Sequence, residues 1–305
     1  MEWEKIDKII KNALKEDIGS GDITTDGIFS DNFFVSSFLI CKSGGVICGL
    51  EVFKRTFLLL SPLFKFDFKY KDGDYVKKNT IVGKITGPIK ELLKGERTAL
   101  NFLQKLSGIA SQTRKLVKES GKIKIYDTRK TTPNLRVLEK YAVKIGGGEN
   151  HRFGLFDMVL IKDNHIKGIT EKEKIDKFSA IKKAIQRVKE YTEGKFKIEI
   201  EVENFKEAIT AYEQGVDIIM FDNAKLTDIK KFSKFKKGKD CEIEVSGNID
   251  LKKIKKLKKL NIDRISVGSI THSPKAVDFS LKILSKTNTS EKEIKSIKHK
   301  IEQTI

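Results

Sequence analysis

"KIEIEVENFKEAITAYEQGVDIIMFDN", residues 197–223, sets two short apolar runs on either side of an amphipathic stretch over 204–214. The runs "KIEIEVE" and "VDIIMFDN" read as strands and the segment between them as a helix. The same rhythm continues outward. "KIKIYDT" and "DMVLIKD" come before it, "EIEVSGN" and "RISVGS" after it, and amphipathic segments such as 172–192 and 250–260 fill the gaps. Strands regularly separated by helices pair in parallel. One long succession with no central Gly-rich dinucleotide fingerprint fits a barrel better than a Rossmann sheet. Fewer than eight strands are legible, so the barrel is expected to be irregular and incomplete. Every strand finishes in a reactive or hydrogen-bonding group: Thr128 and Arg129, Lys162, Glu201, Asp222, Ser246 to Asn248, and Gly268 with Ser269. In parallel barrels those carboxyl ends share one rim, where such folds do their chemistry.

Ahead of about residue 107 the pattern is mixed. "WEKIDKIIKNALKED" has helical spacing and is ended by the glycine-rich "IGSGDITTD". "FFVSSFLICKSGGVICG" and "FKFDFKYKDGDYVKKNTIVGKITG" alternate like antiparallel strands, the second with a hairpin-like turn at Asp72-Gly73-Asp74. "IKELLKGERTALNFLQKLSGIASQTRKLVKES" reads as one or two helices. The expected class is therefore α/β, with an N-terminal α+β sandwich domain over residues 1–107, joined by C-terminal helical residues 274–305, and the barrel over 108–273.

The chain is long enough to bury one large core or two ordinary ones, and its formal charge of +19 admits a polyanion, an anionic membrane or an acidic small substrate. Only eight of the 61 basic residues are arginine, so lysine supplies generic positive charge and arginine marks exceptions. Arg97, Arg129 and Arg152 lie in the densest polar stretches, where a planar fork grips carboxylate or phosphate in a way an ammonium cannot. The lysines of "DLKKIKKLKKLNIDR" surround an apolar stripe of Leu251, Ile254, Leu257 and Leu260, the pattern of a core-facing helix rather than a nucleic-acid contact. No apolar run approaches the roughly 18 residues of a membrane span. Cys41, Cys48 and Cys241 have no metal or redox spacing, and "MEWEKIDKII" has no leader character, so buried thiols in a cytoplasmic protein are expected.

"EDIGSGDITTD", "GERTALNFLQKLSGIAS", "DTRKTTPNLRVLEKYAVKIGGGENHRFGLFDMVLIKDNHI", "EIEVEN", "DIIMFDNA", "EVSGNI" and "SVGSITHS" run in order between residue 16 and about residue 274. Together they resemble the quinolinate phosphoribosyltransferase family. The resemblance implies transfer of a phosphoribosyl group from phosphoribosyl pyrophosphate to the ring nitrogen of quinolinate, with loss of pyrophosphate and CO2, to give nicotinate mononucleotide for NAD biosynthesis. It also implies a homodimer or higher homo-oligomer. A paralogue acting on another pyridine carboxylate, or linked to molybdenum transport, is the alternative.

By the same resemblance Arg129, His151, Arg152 and Lys162 grip the quinolinate carboxylates, and Arg97 reaches in from the adjoining subunit. Lys130 stands near the pyrophosphate or the reacting centre. Glu201 and Asp222 hold the ribose hydroxyls and a Mg2+ bound with the donor, as hard oxygen ligands suit. Residues 246–248 (Ser246, Gly247, Asn248) and 267–269 (Val267, Gly268, Ser269) receive the 5′-phosphate through backbone N–H groups. Neither pyridoxal phosphate nor NAD is implied as a cofactor, because the quaternised ring is its own electron sink. Glu199 and Glu203 share the alternation of Glu201, and spacing does not choose among the three. His165 stands outside the carry-over. Asn134 occupies a place where the family commonly has glycine, so a left-handed turn is expected there.

Overall fold

Residues 2–236 and 241–284 are described by the computed structural model. The strands in chain order are β1 (Phe34–Cys41), β2 (Gly45–Val46), β3 (Lys65–Phe68), β4 (Tyr75–Val76), β5 (Thr80–Pro88), β6 (Lys124–Tyr126), β7 (Val159–Ile161), β8 (Ile198–Val202), β9 (Ile218–Asp222), β10 (Glu242–Ser246), β11 (Arg264–Ser266) and β12 (Phe279–Ile283). Contacts group the chain into two units. One comprises Met1–Gln112, Pro133–Gly146 and the described part of Ser273–Ile305; the other comprises Thr113–Thr132 and Gly147–His272.

In the first unit an antiparallel sheet runs β12-β1-β5-β3. Phe64, Phe66 and Phe68 fall on alternate positions and so share one face, where Phe57 of the helix Leu50–Leu58 sits 5.0 Å from the Phe64 ring. Gly87 makes this possible: a Cβ there would lie 2.1 Å from the Phe64 ring, so only glycine lets the aromatic layer close on the sheet. The turn at Asp72-Gly73-Asp74 is present, with Gly73 at φ +97°, but it joins no hairpin. β3 pairs with β5 and β4 with β2, and the Asp72 carboxylate instead accepts from the backbone N–H groups of Gly49 and Leu50 at the start of a helix and from the Tyr141 hydroxyl.

Two boundaries differ from the sequence-based expectation. The helix Arg136–Ile145 belongs with the first unit, because Leu138, Ala142 and Val143 complete a core with Ile6, Ile10, Val52 and Leu106. Residues 279–283 form β12, paired antiparallel with β1 along Ser37–Cys41, where helix was expected; an alternating "FSLKI" satisfies a sheet edge. Residues 285–305 of the expected helical segment lie outside the described residues. The stretch read as one or two helices is a single helix, Ile89–Ser120.

In the second unit all six expected strands form one parallel sheet, ordered β6-β11-β10-β9-β8-β7. The order follows the chain around a ring and stays open between its first two strands, β6 and β7. Ile200, Val202, Ile219, Phe221, Ile243, Val245 and Ile265 pack against Ile181, Ala184, Ala208, Ile229, Phe232, Ile254 and Leu257 of the crossover helices. The lysine-rich helix Leu251–Leu257 thus buries its stripe in this core, as its spacing predicts. Asp176, Asn204 and Asp250 cap three of these helices through their side chains, which fixes where each crossover begins. All three cysteines are free and buried. Among the described residues no helix is long and apolar enough to cross a membrane.

Candidate active site

Strand alternation sends the other half of these residues to the opposite face. Glu201, Met220, Glu244 and Arg264 are in register across β8 to β11, with Asp222 and Ser246 one level further toward the carboxyl ends. Parallel barrels ordinarily fill this space with branched apolar side chains. Here it is charged.

At the carboxyl ends a pocket of about 480 Å³ opens, a volume suited to a small ligand. Arg129, Lys130, His151, Arg152, Lys162, Glu201, Asp222 and Ser246 all line it. Arg129 and Lys130 follow β6, Lys162 follows β7, and Glu201, Asp222 and Ser246 come from the ends of β8, β9 and β10. His151 and Arg152 stand on the loop after the glycines, where Gly147 alone of the three has positive φ, +91°. That loop is tied down by Glu149, which bridges in parallel to Tyr126, and by buried Asp127, whose Oδ1 accepts from the His151 N–H at 2.8 Å. Asn134 adopts φ +64°, the left-handed turn expected of it.

Crowded cations dominate one wall. Burial and the neighbouring Arg129 charge hold the Arg152 guanidinium below its usual pKa. Arg152 donates from Nη1 to the Met158 carbonyl at 2.9 Å, and its Nε, like that of Arg129, is buried without a hydrogen-bond partner among the described residues. Two like charges with unused donors, drawn together out of water, favour an anion between them. Carboxylates share the lining with these cations. Glu201 forms an ion pair with Lys162, and Asp222 accepts a hydrogen bond from Asn223 Nδ2 at 3.2 Å. These hard carboxylate oxygens on adjoining strands are a donor set that fits Mg2+ held jointly with a phosphate.

Of the two expected phosphate loops, 246–248 enters the pocket lining through Ser246, while Gly247, Asn248 and 267–269 lie outside it. Gly247 has φ +85°, and a Cβ there would meet the Asn223 carboxamide at 2.2 Å, so the turn admits only glycine. Its carbonyl accepts from Lys253 Nζ at 2.5 Å. Gly268 abuts the Lys130 side chain, whose Cδ would be 3.0 Å from an added Cβ. Val267 is buried in the apolar core, which leaves only its backbone for a ligand. Arg97 is exposed on the helix Ile89–Ser120 in the first unit and does not line the pocket. His165 serves the backbone: its Nδ1 accepts the Lys162 N–H at 2.8 Å at the start of the helix Asp163–Glu173.

Sequence reasoning passed over the layer beneath. Glu199 and Glu244 are fully buried, and Arg264 Nε lies 2.9 Å from Glu244 with its guanidinium over the Tyr126 ring. Burial pushes the Glu199 carboxyl up to about 7 against the pull of Arg264, and burial together with the Glu199 charge does the same to Glu244. Glu203, the third acid of the alternation, is instead exposed and paired with Lys177. The available signal was acid at every second place in strands that a parallel sheet covers on both faces, where continuous apolar sequence is the norm.

A sheet of this kind, with cations and carboxylates converging at the carboxyl ends of its strands, defines an α/β-barrel enzyme for an anionic small substrate. Residues 22–107 match the family described as quinolinate phosphoribosyl transferase, N-terminal domain, and residues 109–282 match its C-terminal domain. The chain belongs to the quinolinate phosphoribosyl transferase family. It is 38% identical over 281 residues to the probable nicotinate-nucleotide pyrophosphorylase [carboxylating] of Bacillus subtilis, covering 92% of this chain and 93% of that one. It is 35% identical over 294 residues to quinolinate phosphoribosyltransferase [decarboxylating] 1b of Nicotiana tabacum, covering 90% and 81%. The crystal structure of NadC from Streptococcus pyogenes superposes with a TM-score of 0.86 at 43% identity, over 93% of this chain and 99% of that one.

Proposed function

We propose that this chain joins the ring nitrogen of quinolinate to C1 of phosphoribosyl pyrophosphate and releases pyrophosphate and CO2, forming nicotinate mononucleotide for NAD biosynthesis. The observation that carries this reading is the pair Arg129 and Arg152, whose buried, unused Nε donors suit a small dianion. Burying two carboxylates unpaired costs several kcal/mol each, roughly, and these arginines with Lys162 offset it. The resemblance gives His151 a carboxylate contact as well. Its Nδ1 accepts the Arg152 N–H and its Nε2 lies 2.9 Å from buried Glu199, which ties its placement to that of the arginine.

Lys130 stands where departing pyrophosphate needs a positive charge. Glu201 and Asp222 face the ribose and favour the charge that grows on the sugar as its bond to pyrophosphate lengthens. They would hold Mg2+ as part of the donor complex, and the ion would screen the pyrophosphate. The backbone of 246–248 and 267–269 receives the 5′-phosphate. Once the ring nitrogen carries its fourth bond, its positive charge stabilises the electron pair left by CO2, and no further group is required for that step. Arg97 completes the site from a second copy, which makes a homodimer the smallest working assembly. Three free buried thiols support a cytoplasmic setting.

The test is direct. Purified protein with phosphoribosyl pyrophosphate and Mg2+ should consume quinolinate and leave nicotinate untouched, and turnover should stop on chelation. Turnover of nicotinate alone would overturn the reading. Mixing Arg97→Ala protein with Glu201→Ala protein should restore activity, because each mixed dimer keeps one intact site; no restoration in subunits shown to exchange removes the shared-site claim.

A further inference from the structure

His151 lines the pocket, yet both of its ring nitrogens stand beside groups of the protein. The backbone N–H of Arg152 donates to His151 Nδ1 at 2.8 Å. A backbone N–H can only donate, so Nδ1 presents its lone pair and the imidazole proton sits on Nε2. Nε2 in turn lies 2.9 Å from Glu199 Oε2, with the second carboxylate, Glu244, at 3.7 Å. On its other side the His151 backbone N–H is held by Asp127. The ring therefore sits between two groups: the Glu199 carboxylate stands beside Nε2 at ion-pair distance, and Nδ1 receives from the backbone of the arginine whose guanidinium enters the pocket.

We propose that Glu199 is a positioning residue for the reaction: its buried carboxylate beside Nε2 favours the proton on that nitrogen and so fixes the tautomer of His151, and His151 thereby fixes the backbone of Arg152. Were the ring to carry its proton on Nδ1, two donors would face each other across 2.8 Å. The buried Arg152 N–H would then lose its acceptor, at a cost of about 1–3 kcal/mol, or would move the backbone. An ångström of movement there displaces a guanidinium already anchored at its other end on the Met158 carbonyl, and substrate positioning is sensitive to displacements of that size. Glu199 does this from a layer below Glu201, touching neither ligand. Its alignment is set by β8, which supplies both acids two residues apart on one face.

This inference deepens the reading of the site as one for a pyridine dicarboxylate, and its test keeps the two apart. Glu199→Met retains length without an acceptor; Glu199→Gln retains a carbonyl acceptor in the same place. Glu199→Met should raise KM for quinolinate about tenfold or more, the effect of losing one hydrogen bond to a charged group, with KM for phosphoribosyl pyrophosphate unchanged. Glu199→Gln should restore most of that loss. In protein labelled with 15N-histidine, the His151 resonances, assigned through their loss in His151→Asn, should report a proton on Nε2 in the wild type and in Glu199→Gln. In Glu199→Met the two tautomers should mix. A role confined to stability would lower the melting temperature of both variants and leave KM and the tautomer alone. A wild-type His151 protonated on Nδ1, or a Glu199→Met variant with wild-type KM, overturns the proposal. Should Glu199→Met fail to fold, the wild-type and Glu199→Gln spectra decide. A wild type that never turns over quinolinate removes the functional reading, while the 15N spectra still judge the link from Glu199 to Arg152.

Discussion

In the antiparallel sheet of the first unit, alternate residues carry the rings of Phe64, Phe66 and Phe68 against Phe53 and Phe57, and glycine on β5 clears the room they need. In the parallel sheet of the second, the alternate residues that point away from the helices include Glu199, Glu201, Glu244 and Arg264 beside Ile218 and Met220. Both sheets follow the same period of two. One uses its second set of positions for packing, the other for charge. The parallel sheet tolerates this because its outer face, with the crossover helices, already holds a continuous apolar core of its own. What differs is the consequence of damage: a hole in the aromatic layer weakens folding, whereas a missing charge in the barrel weakens chemistry.

That contrast can be broken most forcefully at Phe57. Phe57→Ala should cost about 3–5 kcal/mol of stability, read by denaturant unfolding, with the kcat of the molecules that stay folded unchanged. A large loss of kcat at full folding would erase the distinction between the two sheets. Glu201→Ala is the mirror experiment. It should lower kcat by at least about 100-fold, the scale of a lost electrostatic contact to the transition state, and leave the melting temperature nearly where it was. Arg152→Lys sharpens the chemical side: an ammonium cannot reproduce the fork, and kcat/KM for quinolinate should fall by about 10- to 150-fold, or roughly 1.5–3 kcal/mol.

The smallest effect probes the charge layer itself. Burial raises the Glu244 carboxyl from its ordinary value near 4.5 to about 7, so the folded chain binds that proton more tightly than the unfolded chain does. The sign is opposite to the usual acidic case: this group's contribution to stability is present below about pH 4.5 and is lost as pH rises through about 7. Glu244→Gln cannot ionise. The melting temperature of the variant minus that of the wild type should therefore grow between pH 5 and pH 8, as calorimetry at the two pH values would register. A constant difference would mean that Arg264 already keeps Glu244 ionised at pH 5.

Much of this was legible before any coordinates. Six strands, the cations at their ends and the buried stripe of Leu251–Leu257 all follow from period and punctuation, because those are local properties of the chain. The division at residue 107 missed the helix Arg136–Ile145, whose partners are residues such as Ile6 and Leu106, distant in sequence. Strand β12 was missed for a related reason: a short alternating segment gains its identity only from the edge of β1 that it covers.

Among the acids of "KIEIEVE" the limit is sharpest. Alternation by itself determined that Glu199, Glu201 and Glu203 share a face, and the motifs around them determined the family. Only the tertiary structure decided that Glu199 is sealed beneath His151, that Glu201 meets the pocket half-buried against Lys162 and that Glu203 meets it exposed beside Lys177. A period of two specifies the side of a sheet to which a residue points. Depth along the barrel depends on where neighbouring strands begin and on which loop closes over them, and those are set by residues far away in the chain.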